Sequence, residues 1–434
     1  MRYNYGKKEY LITDGNSDFN IRSEEPLVQG SIVKIVGEID QTGNITATNI
    51  VKIDDGQQQK ILEKIKMQIK TKIPIANEPY LVTDELTKKI WPQLKWVAEE
   101  IFCAKKLGRG ILLRFHGDAD GVCGAFALTE IVYCKAFQQN SAMYNVKDAF
   151  RDISTIGQEN RPLIILLDFG SSDSCKEALE LVSAAGIEYI IIDHHPYQAK
   201  ENTKIVNPFS IQENASKYTA GYLACEIAIA CGLDKEKGKE LAKVACAGDK
   251  SNILESDEDD GKKAMVLDFL TNHVPFGNNL EFYKKVMRTP DLFSSITQQA
   301  NDSIEEAAGK ALAKAKRTQE NSVEICVFPL DSIVVKGEWP SSSKITTRVY
   351  DKIRDSVPLM CIGHTEYSVI MRINDEGIAK GLNANNLAEE VKKTMGDFVK
   401  GGGGHAKAGA ISVRPGFTRE VLGELLRQIS TKLA

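Results

Sequence analysis

The 434-residue chain has the composition of an ordinary soluble globular protein, with 42% hydrophobic and 26% charged residues. Its formal net charge of −4 gives no general attraction to nucleic acid, although a local basic channel stays compatible with it. The chain has no apolar stretch long enough to span a bilayer, no secretory signal at its N-terminus and no C-x-x-C pair among its nine cysteines. We therefore expect a cytoplasmic protein with no membrane partner, no disulfide framework and no zinc ribbon.

Residues 1–55 alternate apolar and polar positions between turn residues, which predicts about five short strands. The clearest strand covers 30–39, and a second covers 44–53. Short strands in this number suggest a small OB-like β-barrel, a fold that often binds single-stranded nucleic acid. A module that only packs or docks a partner is an equally good interpretation, because the segment has few aromatic residues: Tyr3, Tyr5, Tyr10 and Phe19.

The remainder of the chain is predicted to contain two α/β domains. Residues 56–106 read as a helical connector, whose lysines at 57–73 either contact phosphates or, more commonly, only solvate a helix face. Residues 107–255 alternate strands and helices, which predicts a doubly wound parallel sheet. A helical linker at 256–322 and a smaller α/β domain at 323–434 complete the predicted order.

Three apolar runs that are typical of buried parallel strands end abruptly in carboxylate and imidazole side chains. Because ligands of parallel sheets collect at the carboxyl ends of the strands, we expect these side chains to meet at one edge of one sheet. A fourth carboxylate segment follows a helical stretch at 236–246. The residues at these four ends are His116, Asp118 and Asp120, then Asp168, then Asp193, His194 and His195, and finally Asp249.

This combination of side chains predicts a metal site. Any one of these residues alone is more often a helix cap or an ordinary core residue, but so many neighbouring carboxylates could not all stay ionised without cations. Mixed histidine and aspartate ligands suit Mn²⁺, Fe²⁺ or Zn²⁺ better than Mg²⁺. Two such ions ~3.5–4 Å apart would clamp a phosphodiester and lower the pKa of a bridging water.

A second unusual motif is the run of four glycines at 401–404, followed by His405 and Lys407. Consecutive glycines let backbone N–H groups approach an anion closely, and the two following side chains add cationic donors. A flexible linker is the alternative, but a predicted strand at 410–413 follows almost directly. The motif therefore favours a phosphate cradle.

The order and spacing of these motifs over residues 107–434 resemble those of the DHH phosphoesterase superfamily. The glycine motif resembles that of its C-terminal DHH-associated domain. The helix that begins near Asp84 and the OB-like module are similar to those of archaeal RecJ-like single-strand exonucleases. The resemblance implies a DHH catalytic domain at 107–255 and a DHH-associated substrate-binding domain at 323–434.

The resemblance also implies roles for the residues of the motifs, around two Mn²⁺ ions for which Mg²⁺ is an alternative. Asp168 would bridge the two ions, Asp193 would orient its neighbours, and His195 would contact the scissile phosphate or assist the leaving group. The first ion would be held by His116, Asp118 and Asp168, and the second by Asp120, Asp168, His194 and Asp249. The substrate would be bound across an interdomain cleft by Arg372, Gly402, Gly403, Gly404, His405 and Lys407.

The resemblance implies a metal-dependent phosphodiesterase, most simply a 5′→3′ exonuclease that takes single-stranded DNA or RNA. Tyr197, Phe209 and Tyr218 are candidates for base stacking, although each is more typical of a core residue. One alternative is an enzyme for short oligonucleotides, cyclic dinucleotides or pyrophosphate, which would not need the N-terminal module. Another is a replication scaffold that binds the GINS complex, although such relatives typically lose metal ligands that this chain has kept.

Overall fold

The computed structural model describes residues 9–23, 26–41, 43–141, 143–196, 204–213, 215–273, 280–335, 337–354 and 357–433. The chain divides into two compact units, Met1–Arg288 and Thr289–Ala434. Among the described residues, no helix combines the length and the apolar character that crossing a membrane requires.

The first unit begins with a four-stranded sheet in the order β1-β2-β4-β3. Its neighbouring strands are antiparallel except for the parallel pair β2 and β4. The turn after β1 is closed by the Asp14 carboxylate, which accepts hydrogen bonds from the backbone N–H groups of Asn16 and Ser17. Closure of this sheet into an OB-like barrel stays a prediction. The strands are β1 (Glu9–Thr13), β2 (Asp18–Arg22), β3 (Val33–Ile39) and β4 (Ile45–Lys52).

Two helices follow, α1 (Asp55–Lys70) and α2 (Glu85–Lys106). α2 begins at a capping box in which Asp84 and Thr87 bond each other's backbone N–H groups. Of the lysines considered for phosphate contact, Lys70 pairs with Glu100 at 2.7 Å and Lys72 donates to a backbone carbonyl of the β1–β2 turn. These two lysines therefore stabilise the packing of the connector.

The predicted doubly wound parallel sheet is confirmed. Its five strands are all parallel and lie in the order β6-β5-β7-β8-β9. Helices α4 and α5 cover one face, and α3 and α6 cover the other with α7 packed on them, so the central strands are buried on both sides. The elements are β5 (Ile111–His116), α3 (Ala119–Ile131), β6 (Lys135–Gln139), α4 (Val146–Ile156), β7 (Leu163–Leu167), α5 (Lys176–Ala184), β8 (Glu188–Ile192), β9 (Ile205–Val206), α6 (Ala220–Ala230) and α7 (Lys235–Gly248).

The segment predicted as a helical linker, 256–322, is shared between the two units. Helices α8 (Glu258–His273) and α9 (Leu280–Arg288) pack against α3, and α8 also packs against α7 of the first unit. Helix α10 (Pro290–Ala313) and strand β10 (Lys316–Glu320) belong to the second unit. β10 is paired with the first strand of the predicted C-terminal domain, and this pairing makes it part of that sheet.

The second unit is a six-stranded mixed sheet in the order β10-β11-β12-β13-β15-β14, with β11 and β12 as its parallel pair. Helices α10 and α11 pack on one face, and α13 and α14 on the other, which confirms the predicted smaller α/β domain. The elements are β11 (Val323–Pro329), α11 (Ser342–Ile353), β12 (Leu359–Thr365), β13 (Ser368–Ile373), α12 (Asp375–Ala379), α13 (Ala384–Thr394), β14 (Val399–His405), β15 (Ala408–Val413) and α14 (Thr418–Leu433).

A buried ion pair joins strand β5 of the parallel sheet to helix α4. Arg114 of β5 is 2% exposed, and its guanidinium bonds both carboxylate oxygens of the fully buried Asp152. The Tyr144 hydroxyl donates to the same carboxylate at 2.9 Å, and Gln139 accepts a hydrogen bond from Arg114 at 3.1 Å. The network compensates both charges, so the removal of one partner leaves the other charge buried without a counter-charge.

We predict that Asp152→Ala lowers the free energy of unfolding of the first unit by about 3–5 kcal/mol, because it strands the guanidinium. Urea denaturation followed by circular dichroism measures the change. Arg151→Ala, which removes an exposed neighbour on the same helix, should change the free energy by less than about 0.5 kcal/mol. Equal losses in the two variants would contradict the assignment.

Candidate metal centre

The carboxyl ends of β5, β7 and β8 and the C-terminal end of α7 bring the predicted metal ligands together in the first unit. Two groups of potential ligand atoms form there, and within each group the atoms lie within 4.8 Å of one another. A third group of the same kind joins Asp168, His194 and His195. The two main groups are His116, Asp118 and Asp168, and Asp120, His194 and Asp249.

Asp168 belongs to the first main group and also lies next to His194 of the second. Its side chain is 1% exposed, with Oδ2 3.4 Å from Nδ1 of His116 and Oδ1 3.3 Å from Nε2 of His194. Oδ1 is buried and makes no hydrogen bond. Such an unsatisfied, buried carboxylate oxygen costs free energy unless a cation or a proton neutralises it. Together with the surrounding imidazole nitrogens and carboxylate oxygens, it fits a divalent transition-metal ion.

The backbone also presents Asp168 to the site. The residue directly follows β7 and has φ +67°, a left-handed conformation that aspartate tolerates better than most side chains. Its N–H is held by the carbonyl of Ile192 at the end of β8, at 2.8 Å. The conformation turns the chain at the sheet edge, where strain of this kind is common in functional sites.

The first loop, 116–121, is compact. Asp118 is the N-cap of α3, and its Oδ1 accepts a hydrogen bond from the Gly121 N–H at 3.0 Å, while its Oδ2 lies 2.7 Å from Nδ1 of His116. A Cβ at position 121 would lie 2.3 Å from the carbonyl oxygen of His116. Glycine is therefore required at 121 by close approach to the strand that carries His116.

Asp120 is 1% exposed and is held by the start of α6. Its two oxygens accept the backbone N–H groups of Ala220 and Gly221 at 2.9 and 3.0 Å. Nδ1 of His194 lies 2.9 Å from the carbonyl of Ser216, and a carbonyl only accepts, so this nitrogen carries the proton. Nε2 of His194 then faces Asp249 at 3.1 Å and is available as a ligand.

The electrostatics of the metal-free cluster follow from burial and crowding. Burial raises the pKa of Asp120, and the charges of Asp168 and Asp249 raise it further. Burial opposes the protonation of His116 and His194, but the neighbouring carboxylates outweigh it, so the pKa values of both imidazoles are raised. Protons therefore occupy this cluster when no metal does, and they compete with metal binding.

Asp193 lies behind the cluster. It is 1% exposed, and its Oδ1 is 2.8 Å from Nδ1 of His195, a side chain that is 48% exposed. Its Oδ2 accepts the hydroxyl of Ser171 at 2.5 Å, and the fully buried Asn207 donates to that hydroxyl at 3.2 Å and to the His195 carbonyl at 3.0 Å. The arrangement fixes the His195 ring and leaves its Nε2 available.

Ser171 and Asn207 were not identified from the sequence. Serine and asparagine after predicted strands are most often turn or cap residues, and nothing local distinguishes these two. A sequence feature that could have pointed to Ser171 is its position three residues after Asp168.

The predicted substrate-binding residues lie in the second unit. Arg372 on β13 pairs with Ala408, which in turn pairs with His405, so the three residues form one row across the sheet. The Arg372 guanidinium donates to the hydroxyls of Ser343 and Thr347 on α11 at 2.9 and 3.1 Å. Arg372 is therefore held in place by α11.

The glycine run forms part of a β-strand. Gly401, Gly402, Gly403 and Gly404 lie in β14, an edge strand whose hydrogen-bonded partner is β15. The Gly404 N–H donates to Asn385 at 3.0 Å, and a Cβ at 404 would lie 2.2 Å from the Ala408 carbonyl oxygen. Lys407, just after the strand, pairs with Asp375 at 2.6 Å, and both side chains are exposed.

The proposed stacking residues have three different outcomes. Tyr218 is 4% exposed and donates to Asp84 at 2.6 Å, so it is a core residue that holds the start of α2 and does not offer a stacking surface. Phe209 is half-buried. Tyr197 lies outside the described residues.

Residues 110–248 match the family model described as the DHH family, N-terminal domain. This part of the first unit is therefore similar to the N-terminal domain of the DHH family. This match covers the strands and helices that supply the metal-centre candidates, from β5 to the end of α7.

Comparison with individual proteins extends the likeness over most of the chain. An uncharacterized protein of Methanocaldococcus jannaschii is 25% identical over an alignment that covers 98% of this chain and 66% of that protein, so the chain spans just under two thirds of its relative. A solved DHH domain, described as from a member of a family of ribosomal proteins, matches with a TM-score of 0.73 and 22% identity, over 87% of this chain and 99% of that one.

RecJ from Thermus thermophilus, solved in complex with Mn²⁺, matches with a TM-score of 0.55 and 15% identity. The similarity covers 82% of this chain and 56% of that one. At these identities the structural matches establish a shared fold. This chain and RecJ therefore have a fold in common.

We predict that Gly221→Ala weakens Mn²⁺ binding by about tenfold or more, because the new Cβ would lie 2.6 Å from the carbonyl oxygen and 2.8 Å from Oδ1 of Asp120. Isothermal titration calorimetry measures the dissociation constant. The matched control is Gly261→Ala on α8, where a Cβ meets no atom within 4 Å. The control should bind Mn²⁺ normally, and tenfold weaker binding in it would contradict this explanation.

A second prediction concerns pH. Burial would lower the pKa values of His116 and His194, but their carboxylate neighbours raise them, so both imidazoles hold protons above the usual range around pH 6.5. Because Mn²⁺ must displace these protons, its affinity should keep rising as the pH increases from about 6.5 to about 8.5. Titrations at several pH values test this, and an affinity that levels off near pH 7 would contradict it.

Proposed function

We propose that this chain is a metal-dependent phosphodiesterase, specifically a 5′→3′ exonuclease that hydrolyses single-stranded DNA or RNA. The observation that carries the proposal is the buried Asp168 carboxylate. It belongs to one group of metal-ligand atoms, lies 3.3 Å from His194 of the other, and has one oxygen without a hydrogen bond. The similarity to the DHH family and the fold shared with the Mn²⁺ complex of RecJ support the proposal.

The ligand assignment follows the two groups of side chains. We propose that Asp168 contributes to both ions, of Mn²⁺ or alternatively Mg²⁺. When bound, the ions would stabilise negative charge on the phosphate and lower the pKa of the attacking water. The first group is His116, Asp118 and Asp168. The second is Asp120, His194 and Asp249, to which we add Asp168 because its Oδ1 lies 3.3 Å from Nε2 of His194.

His195 is the candidate for proton transfer or phosphate contact. Asp193 holds its Nδ1, so its Nε2 is the nitrogen that can donate to a phosphate oxygen or to the departing oxygen. Burial opposes protonation, but the hydrogen bond to Asp193 outweighs it and raises the pKa of His195. The cationic form that donates is therefore favoured in this position.

The second unit is proposed to bind the phosphates of the substrate. The exposed His405 and Lys407 supply cationic or polar donors, and the glycines of β14 leave the backbone of an edge strand uncovered by side chains. Arg372 lies in the same row as His405 and is steadied by α11. The complete set is Arg372, Gly402, Gly403, Gly404, His405 and Lys407.

We predict that Asp168→Asn reduces Mn²⁺-dependent cleavage to the rate measured without metal. Asparagine keeps the size and tolerates the left-handed backbone, but it removes the shared negative charge. Circular dichroism should show an unchanged fold. The control, Asp173→Ala, removes an exposed carboxylate from the same loop region and should keep full activity. Full activity in Asp168→Asn would refute the role of Asp168.

The same assay identifies the substrate. Single-stranded DNA and RNA labelled at either end, and a dinucleotide, are incubated with the protein and Mn²⁺. Release of short products first from the 5′ label supports the proposed polarity. Cleavage of the dinucleotide alone would replace the proposal with a small-substrate phosphoesterase.

A further inference from the structure

A buried carboxylate beyond the matched DHH region contacts the first metal loop. Asp268 lies on α8, is 9% exposed, and accepts the backbone N–H of Ala119 at 2.8 Å. Ala119 stands between Asp118 and Asp120 and is the first residue of α3. The contact joins residues 149 positions apart in the sequence.

The contact provides an acceptor for the Ala119 backbone N–H, which has no acceptor within α3. The first N–H groups of an α-helix have no acceptor within the helix, and a carboxylate there also interacts favourably with the helix dipole. In α3, Oδ1 of Asp118 accepts the Gly121 N–H, and Asp268 accepts the Ala119 N–H. Because Asp268 accepts the Ala119 N–H, Asp118 does not have to accept it. Oδ2 of Asp118 can therefore lie 2.7 Å from Nδ1 of His116.

A second set of contacts secures the same side of the loop. Gln138 at the end of β6 donates to the Thr271 carbonyl of α8 at 2.9 Å and accepts the Tyr283 hydroxyl of α9 at 2.5 Å. The next residue, Gln139, accepts the Gly117 N–H at 2.8 Å through its backbone carbonyl. The strand end that pairs with the loop is therefore tied to α8 and α9.

We propose that Asp268 is a positioning residue for the metal loop 116–120, so that α8 is part of the metal centre although it contributes no ligand. The inference rests on the proposed metal-dependent function. It does not assign Asp268 any contact with substrate. Its consequence is that metal affinity depends on a helix outside the matched DHH region.

The test compares Asp268→Ala with Asp268→Asn in the full chain. Asp268→Ala should weaken Mn²⁺ binding by about tenfold or more, whereas Asp268→Asn, which keeps an acceptor oxygen, should stay within about threefold of the wild type. Hydrogen–deuterium exchange of the metal-free protein supplies a readout without metal. The peptide that contains Ala119 should exchange faster in Asp268→Ala and at the normal rate in Asp268→Asn.

Two controls separate positioning from general destabilisation. Val266→Ala opens a cavity under the same helix, and Asp259→Ala removes an exposed carboxylate from it. Both should retain wild-type Mn²⁺ affinity, even where Val266→Ala lowers the melting temperature. If Asp268→Ala does not fold, Asp268→Ser serves in its place, because its hydroxyl is too short to reach the Ala119 amide.

The outcomes are distinguishable. Wild-type affinity in Asp268→Ala, or an equal loss in Val266→Ala, overturns the positioning role while the proposed function stands. Absence of Mn²⁺ binding by the wild-type protein overturns the proposed function and this inference with it.

Discussion

The burial of the Asp168 carboxylate is the constraint around which the first unit is organised. A carboxylate at the end of a central strand, covered on both faces of the sheet, cannot be hydrated, and one of its oxygens has no donor. His116 and His194 approach it from the two neighbouring strands. The charge that this arrangement concentrates needs protons or cations to balance it, and the side chains present are those that bind transition-metal ions.

Close packing of helices holds this charged centre together. A Cβ at Gly124 of α3 would meet Leu167 and Ala224 at 2.9 and 3.1 Å, and one at Gly248 would meet Ala119 at 2.8 Å. Glycines at these positions let α3, α6 and α7 approach until the N-terminus of α6 bonds Asp120. Backbone amides thus hold a carboxylate that would otherwise repel its neighbours, and the geometry of the centre is inseparable from the packing of its helices.

The predicted fold and much of the candidate site could be read from the sequence because their signals are local. Apolar runs ending in Asp or His mark strand ends, and the common edge of parallel strands makes those ends neighbours. The glycine run and Tyr218 show what the local pattern leaves undecided. Gly401–Gly404 form a strand because β15 pairs with them, and the buried Tyr218 hydroxyl is satisfied because it donates a hydrogen bond to Asp84. Both outcomes depend on partners that the local pattern does not name.

Periodicity and chain order are properties of short segments, and they were enough to predict the parallel sheet, the second α/β unit and the residues at the strand ends. The tertiary structure alone decides which atoms contact one another. Ser171 and Asn207 behind Asp193, and Asp268 behind the first loop, act through hydrogen bonds between segments far apart in the chain. Such contacts leave no periodic trace, because a single buried donor or acceptor is fixed by the packing of whole helices and strands and not by its sequence neighbours.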